Sequence, residues 1–265
     1  MNVMEHEMID ILNALKSLGC VKIKAEFEAE GTRMEELMRL KDVTCAVELP
    51  IVMKIGGAES VTDVYHCLSV GVASIVAPMV ETPYALYKYE KMIDTMVAKD
   101  NAKDIDFYFN METITAYENF PRMMDTPLLS MIQGVTIGRV DLAGSLGCDR
   151  SAVDGPRFLE IARDTFSQAR AKLLKTAVGG AISVKSLGFL GALRDEGLID
   201  NFETRKVVFM PDAIDNGEVI FKKALEFELL WLKSKRRYHS RVQVEDESRI
   251  AMLEKRLVVN KSKGE

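Results

Sequence analysis

The chain has 265 residues, 48% of them apolar and 28% charged, the composition of a globular protein long enough to bury a core without disulfide or metal staples. Thirty-five Lys and Arg against 40 Asp and Glu leave a net charge of −5, which removes the electrostatic case for a nucleic-acid partner. No apolar run reaches bilayer length, and the start "MNVMEHEMIDILNALKSLG" lacks the basic head and apolar core of a signal peptide.

Cys20, Cys45, Cys67 and Cys148 form no CxxC pair, and none of the three histidines adjoins a cysteine. A zinc site is not expected, and a cytoplasmic location with reduced thiols and no membrane partner is.

Helical spacing opens the chain at 4–18. Short β-branched runs then alternate with longer helical stretches. Strands are expected at 21–27, 51–55, 73–78, 105–110, 134–140, 176–180 and 205–210, and helices at 32–47, 59–70, 83–98, 113–124, 156–172 and 184–195. Strands that are apolar throughout, each followed by a helix, imply a parallel sheet covered on both faces. An open doubly wound sheet and a closed barrel both fit that pattern. So many strand–helix units in about 215 residues favour an α/β barrel of the (β/α)8 type over residues 1–215. Seven strands are counted, and the eighth is expected to be missing at the N-terminus.

Residues 216–260 form a helical extension: one helix at 217–236 around Trp231, an interruption at "YHSRVQ", and a second helix at 245–259. Its apolar face needs a partner surface, either a neighbouring subunit, which would make the protein a homo-oligomer, or its own barrel. The basic run "KSKRRYHSR" (233–241) reads as a solvated helix end.

Active sites of parallel barrels lie at the C-terminal ends of the strands. Reading at and just past each strand end finds Lys54 before Gly56-Gly57, Asn110 as the last residue of "IDFYFN" with Glu112 two residues on, and Asp141 after "GVTIGRV". Glu112 and Asp141 come from adjacent strands. Two acids at one rim resist joint ionisation unless a cation joins them, and a hard cation such as Mg²⁺ (or Mn²⁺) takes one or two carboxylates together with substrate oxygens. Each acid alone would also serve as a cap of the following helix. A phosphate-handling barrel is the weaker alternative, resting on the glycine turn "VGGAIS" (178–183), but the acids Asp212 and Asp215 of "MPDAIDNG" suit phosphate poorly.

Three segments, "GVASIVAPMVETPYAL", "FYFNMETITAYENF" and "GVTIGRVDLAGSLG", resemble in order and spacing the HpcH/HpaI aldolase and citrate lyase β-subunit family, whose fold is a phosphoenolpyruvate-binding TIM barrel. The resemblance spans residues 20–215. It implies Glu112 and Asp141 as metal ligands, and Asn110, Gly138, Val140 and Asp141 as substrate contacts. The substrate it implies is a small oxo acid or related acyl compound, cleaved through a metal-stabilised enolate. Two departures stand out. Lys54 occupies the place of a family Arg. "EFEAEG" replaces the family's D-x-E-H, so Glu26 and Glu28 stand for its acids and no histidine follows. Lys54, Glu28 and Glu26 are therefore the candidate catalytic groups. A catalytically altered binding or assembly subunit is the competing reading.

Overall fold

The computed structural model describes residues 1–126 and 130–261, with side chains to residue 255. Helix α1 (Val3–Ser17) leads into β1 (Cys20–Glu26). There follow α2 (Met34–Cys45), β2 (Ile51–Lys54), α3 (Val61–Val70), β3 (Ser74–Ala77), α4 (Pro83–Met96), β4 (Asp106–Met111), α5 (Ile114–Met124) and β5 (Gly134–Gly138). Two helices, α6 (Arg139–Ser145) and α7 (Pro156–Ala171), separate β5 from β6 (Lys175–Gly179). α8 (Leu187–Asp195), β7 (Asn201–Glu203), β8 (Val207–Phe209) and α9 (Glu218–Lys261) complete the chain.

The eight strands close a barrel in chain order. β1 to β7 pair in parallel, and β8 runs antiparallel to both β7 and β1. The eighth strand is thus not missing at the N-terminus. It is β7, and it escapes a periodicity search because it is three residues long with a single apolar member, Phe202. That ring faces away from the barrel axis and stacks on Phe209, with centroids 5.2 Å apart. A tight turn at 204–206, closed by Thr204 N–H donating to Val207 O at 2.9 Å, joins β7 to β8 where a helical crossover would otherwise lie. The reversal sends "MPDAIDNG" to the opposite end of the barrel from the strand C-termini. There Met210 N–H donates to Gly19 O at 2.9 Å, and Asp215 pairs with Arg194 at 2.6 Å. The weighing of Asp212 and Asp215 as neighbours of the glycine turn therefore does not hold.

Side chains alternate between the barrel interior and the helix layer. The interior is stacked in levels. At the bottom, Lys22 donates to Ser74 Oγ at 2.8 Å and pairs with Asp106 at 3.2 Å. Above them Val52, Val76, Tyr108 and Val208 form a small apolar cluster. The next level carries Lys24, Lys54, Asn110 and Glu203, all buried. This is the packed interior expected of such barrels, with polarity returning at the C-terminal end.

The extension also differs from expectation. α9 is one helix of 44 residues, about 66 Å long at the standard rise. Nothing in "YHSRVQ" breaks it, since the segment holds neither Gly nor Pro. Ile220, Ala224, Phe227 and Trp231 repeat at helical spacing and are buried, and α9 packs against α1 of the same chain. Residues 241–250 are exposed on every side. No helix of the described residues is long and apolar enough to cross a membrane, and the four cysteines are free thiols.

Candidate active site

A cavity of about 780 Å³ opens at the C-terminal ends of the parallel strands. All eight residues named from the sequence line it: Glu26, Glu28, Lys54, Asn110, Glu112, Gly138, Val140 and Asp141. Volume and mixed lining are those of a small-molecule site.

Glu112 is the most deeply set, 1% exposed. It follows β4 on the inward-facing parity of Tyr108 and Asn110. It does not cap α5: Thr113 does, its Oγ1 accepting from Ala116 N–H at 3.1 Å. Glu112 Oε1 accepts from the Met79 N–H at 3.0 Å, and Oε2 from Asn110 Nδ2 at 2.9 Å. Lys54 Nζ lies 3.5 Å from the same Oε2. Met79 holds a left-handed backbone, φ 52°, a costly conformation for a residue with a Cβ, and this turn aims its N–H at the carboxylate. Room for Glu112 comes from Gly138. A Cβ there would stand 2.5 Å from Glu112 Oε2 and 2.8 Å from its Cβ. The bare end of β5 is thus a space requirement of the acid next door.

Asp141 sits in the first turn of α6 and is exposed to the cavity mouth. A helix start favours a negative charge in that turn, so the capping reading and the ligand reading apply to the same side chain. The two acids sense each other. Burial pushes the Glu112 carboxyl above its ordinary range, and the Asp141 charge adds to the rise. Lys54, Asn110 and the Met79 N–H oppose it without cancelling it. Negative charge at this corner is undercompensated, which is the condition a bound cation relieves.

Lys54 points inward and is buried, bridging Glu112 and, at 3.2 Å, Glu28 at the rim. Strand alternation would bring only two of Glu26, Glu28 and Glu30 to the site. All three line the cavity, because β1 ends at Glu26 and the following turn abandons strand alternation. Glu26 is 3.2 Å from Lys24 and 3.7 Å from Arg205. Burial raises its proton affinity, but Lys24, Arg205 and Lys54 outweigh that and hold it below the ordinary carboxylate range. Glu203 from β7 closes the group by pairing with Lys24, and Gly179 on β6 leaves it space.

Four contributors escape a strand-end reading: Lys24, Glu203, Lys206 and Arg139. Lys24 lies one inward step below the end of β1, Glu203 ends the unrecognised β7, and Lys206, paired with Glu30, sits in its hairpin turn. Arg139 was placed inside a strand running to 140. That strand ends at Gly138, and Arg139 begins α6, fully buried. It donates to Gly180 O at 2.8 Å and pairs with Asp154 at 2.7 Å, tying the β6 glycine turn to the start of α6. Of the histidines, His66 packs on Phe27, with ring centroids 5.7 Å apart. His239 bonds Glu36 at 2.7 Å on the α2–α9 contact.

The donor set around Glu112 and Asp141 is carboxylate oxygen only, which suits a hard divalent cation completed by water and substrate. No cluster of three or more His, Cys, Asp or Glu side chains suited to a metal occurs among the described residues.

Neither protein-family models nor curated proteins match the sequence. Solved structures do match in fold. A citrate synthase, SbnG, superposes with a TM-score of 0.61 at 14% identity, covering 89% of this chain and 91% of that one. The HpcH/HpaI aldolase from Desulfitobacterium hafniense DCB-2 gives 0.59 at 13% identity, over 74% of this chain and 82% of the other. An HpcH/HpaI aldolase/citrate lyase family protein from Burkholderia cenocepacia J2315 gives 0.57 at 15%, over 89% and 90%. The chain has the barrel fold of these structures.

Proposed function

We propose that this chain is a divergent enzyme of the HpcH/HpaI aldolase and citrate lyase kind, a carbon–carbon lyase that uses Mg²⁺ or Mn²⁺ and acts on a small oxo acid or related acyl compound. The observation that carries the proposal is the corner formed by Glu112, Asp141 and Lys54. Two acids from neighbouring strand ends and one buried ammonium share a cavity, with their negative charge undercompensated.

Glu112 and Asp141 would hold the cation, which when bound supplies Lewis-acid stabilisation of an enolate. Asn110 and the Met79 N–H fix the Glu112 carboxylate in one orientation. The substrate carboxylate is assigned to the Val140–Asp141 backbone beside Gly138, as the sequence resemblance implies. Lys54 brings positive charge to the developing enolate oxygen, without the two-pronged geometry of an arginine. With no histidine lining the cavity, proton transfer falls to a carboxylate. Glu28, a third exposed at the rim, is better placed to exchange protons than Glu26, which its cations keep ionised.

Calorimetric titration of the metal-stripped chain with Mn²⁺ tests this reading, together with release of pyruvate from a panel of 4-hydroxy-2-oxo acids. One site is expected, absent in Glu112→Gln and Asp141→Asn, with turnover lost in both. No Mn²⁺ binding by the unaltered chain refutes it.

The alternative, a non-catalytic binding or assembly subunit, has one observation in its favour. The α9 arm over residues 240–251 is exposed all round, and Val242, Val244, Ile250 and Leu253 lie at its surface. Homo-oligomerisation through these helices, in a cytoplasmic protein, belongs to both readings. Metal-dependent turnover separates them.

A further inference from the structure

We infer that Lys54 is a resident counter-cation that competes with the divalent ion for Glu112, and that Glu28 sets the balance by drawing the ammonium away. This rests on the metal reading above and concerns how tightly this chain holds its cation.

The geometry is specific. Lys54 ends β2 on the inward face, one level above Val52, and its side chain is 8% exposed. Its ammonium stands between two carboxylates on different elements, 3.5 Å from Glu112 Oε2 and 3.2 Å from Glu28 Oε2. Both distances exceed the roughly 2.7–2.9 Å of a charge-assisted hydrogen bond. The ammonium is therefore held by charge more than by directed bonds, and a small swing takes it from one acid to the other.

Glu112 has little freedom to adapt. The Met79 N–H occupies Oε1, and Asn110 shares Oε2. A divalent ion on Oε2 would sit about 2.0–2.2 Å from it. With Lys54 left in place, the two cations would stand only a few ångströms apart beside side chains that are both buried, where like charges repel more strongly than in bulk. Ion and ammonium therefore exclude one another at Oε2. Glu28 lies at the rim, where solvent tolerates an ion pair, and offers Lys54 the place to retreat. Asp141 lines the same cavity and is not among the ion-pair partners of Lys54, which are Glu28 and Glu112.

Shifts in opposite directions follow from the two partners. Removing the ammonium should strengthen ion binding, and removing Glu28 should weaken it, because Lys54 then has Glu112 alone. The experiment is calorimetric Mn²⁺ titration of the full metal-stripped chain in four forms: unaltered, Lys54→Met, Glu28→Gln and Glu112→Gln. Lys54→Met is expected to tighten Mn²⁺ by about tenfold or more and Glu28→Gln to loosen it by about tenfold, from the removal of one near charge. Glu112→Gln should be silent. A merely structural lysine would weaken binding when replaced, so the sign is the readout.

Unchanged or weaker binding in Lys54→Met, with the unaltered chain binding and Glu112→Gln silent, overturns this inference and leaves the metal reading standing. Silence in all four forms overturns both. Should Lys54→Met fail to fold, with Glu112 left as an unpaired buried charge, Glu28→Gln decides. Looser binding there supports competition, and unchanged binding overturns it.

Discussion

Glu112→Gln separates what this residue does for folding from what it does for function. At 1% exposure its carboxylate has three donors around it, yet its proton affinity is still raised, because burial first and then Asp141 outweigh Lys54, Asn110 and the Met79 N–H. A raised folded value means that the native state binds the proton more tightly than the unfolded chain. The stability from this group is fully present below the unfolded value of 4.5 and is lost as pH rises through the folded value. At neutral pH in EDTA the ionised acid is therefore a net burden, and each unit of upward shift corresponds to about 1.4 kcal/mol.

Glutamine removes the charge at nearly constant shape. Its carbonyl keeps the Met79 N–H. Its amide group meets Asn110, whose Oδ1 is buried without a partner. A flip of the Asn110 amide therefore presents an acceptor at no cost to an existing bond. The variant should match or exceed the parent by up to about 1 kcal/mol in urea unfolding at pH 7 in EDTA, and the gap should close as pH falls toward 4.5. Saturating Mn²⁺ inverts the order, since binding at a hundredfold over the dissociation constant adds about 2.7 kcal/mol to the parent alone. A variant 3 kcal/mol or more less stable than the parent in EDTA would refute the reasoning and make Glu112 a structural keystone.

Two other perturbations follow from the geometry. Gly138→Ala places a methyl 2.8 Å from Glu112 Cβ, a clash that rotating the carboxylate cannot relieve. It should cost about 1–3 kcal/mol in urea unfolding and abolish the Mn²⁺ heat, while undisturbed binding would show that the acid has room the geometry denies it. Glu36 ties α2 to α9. Burial pushes its carboxyl up, but His239, the Arg33 N–H and Lys235 outweigh that and hold it below the ordinary 4.5. Its stability contribution is present above that value and is lost as pH falls through the lower folded one. Glu36→Gln should accordingly be less stable than the parent at pH 7 and equal to it in strong acid, read by thermal unfolding across pH; a constant gap would contradict the linkage.

The barrel and the site corner were legible because their signals are local. The first six strands are short runs rich in β-branched or aromatic residues between helical stretches, and Lys54, Glu112 and Asp141 lie at or just past strand ends. What stayed hidden depends on partners far along the chain. β7 is a strand because β6 offers it a parallel edge at Ala177 and Val178 and β8 pairs with its other side. Lys24 reads as an unexceptional polar residue in "VKIKAEF" until Glu203, 179 positions away, pairs with it. Arg139 looked like a strand residue because the chain passes from β5 to α6 without a loop. The continuity of α9 was missed for the opposite reason. A polar stretch was taken for a break, although polarity alone does not end a helix that lacks Gly and Pro.

The reversed β8 also shapes the site. In an all-parallel barrel the eighth strand would deliver another loop and helix start to the catalytic rim. Here the chain turns down after Lys206, crosses beneath the barrel and climbs back along α1 as α9. The wall lost at the rim is rebuilt by a helix face: Phe221, Ala224, Leu225, Glu228, Leu232 and Lys235 line the cavity opposite the Glu112 corner. The charged corner and the far wall of the cavity are thereby carried on different parts of the chain. Substitutions at Leu225 or Leu232 alter the space at the far end of the cavity and leave Glu112, Asp141 and Lys54 untouched, so the shape of the cavity can change along α9 without disturbing the charged corner.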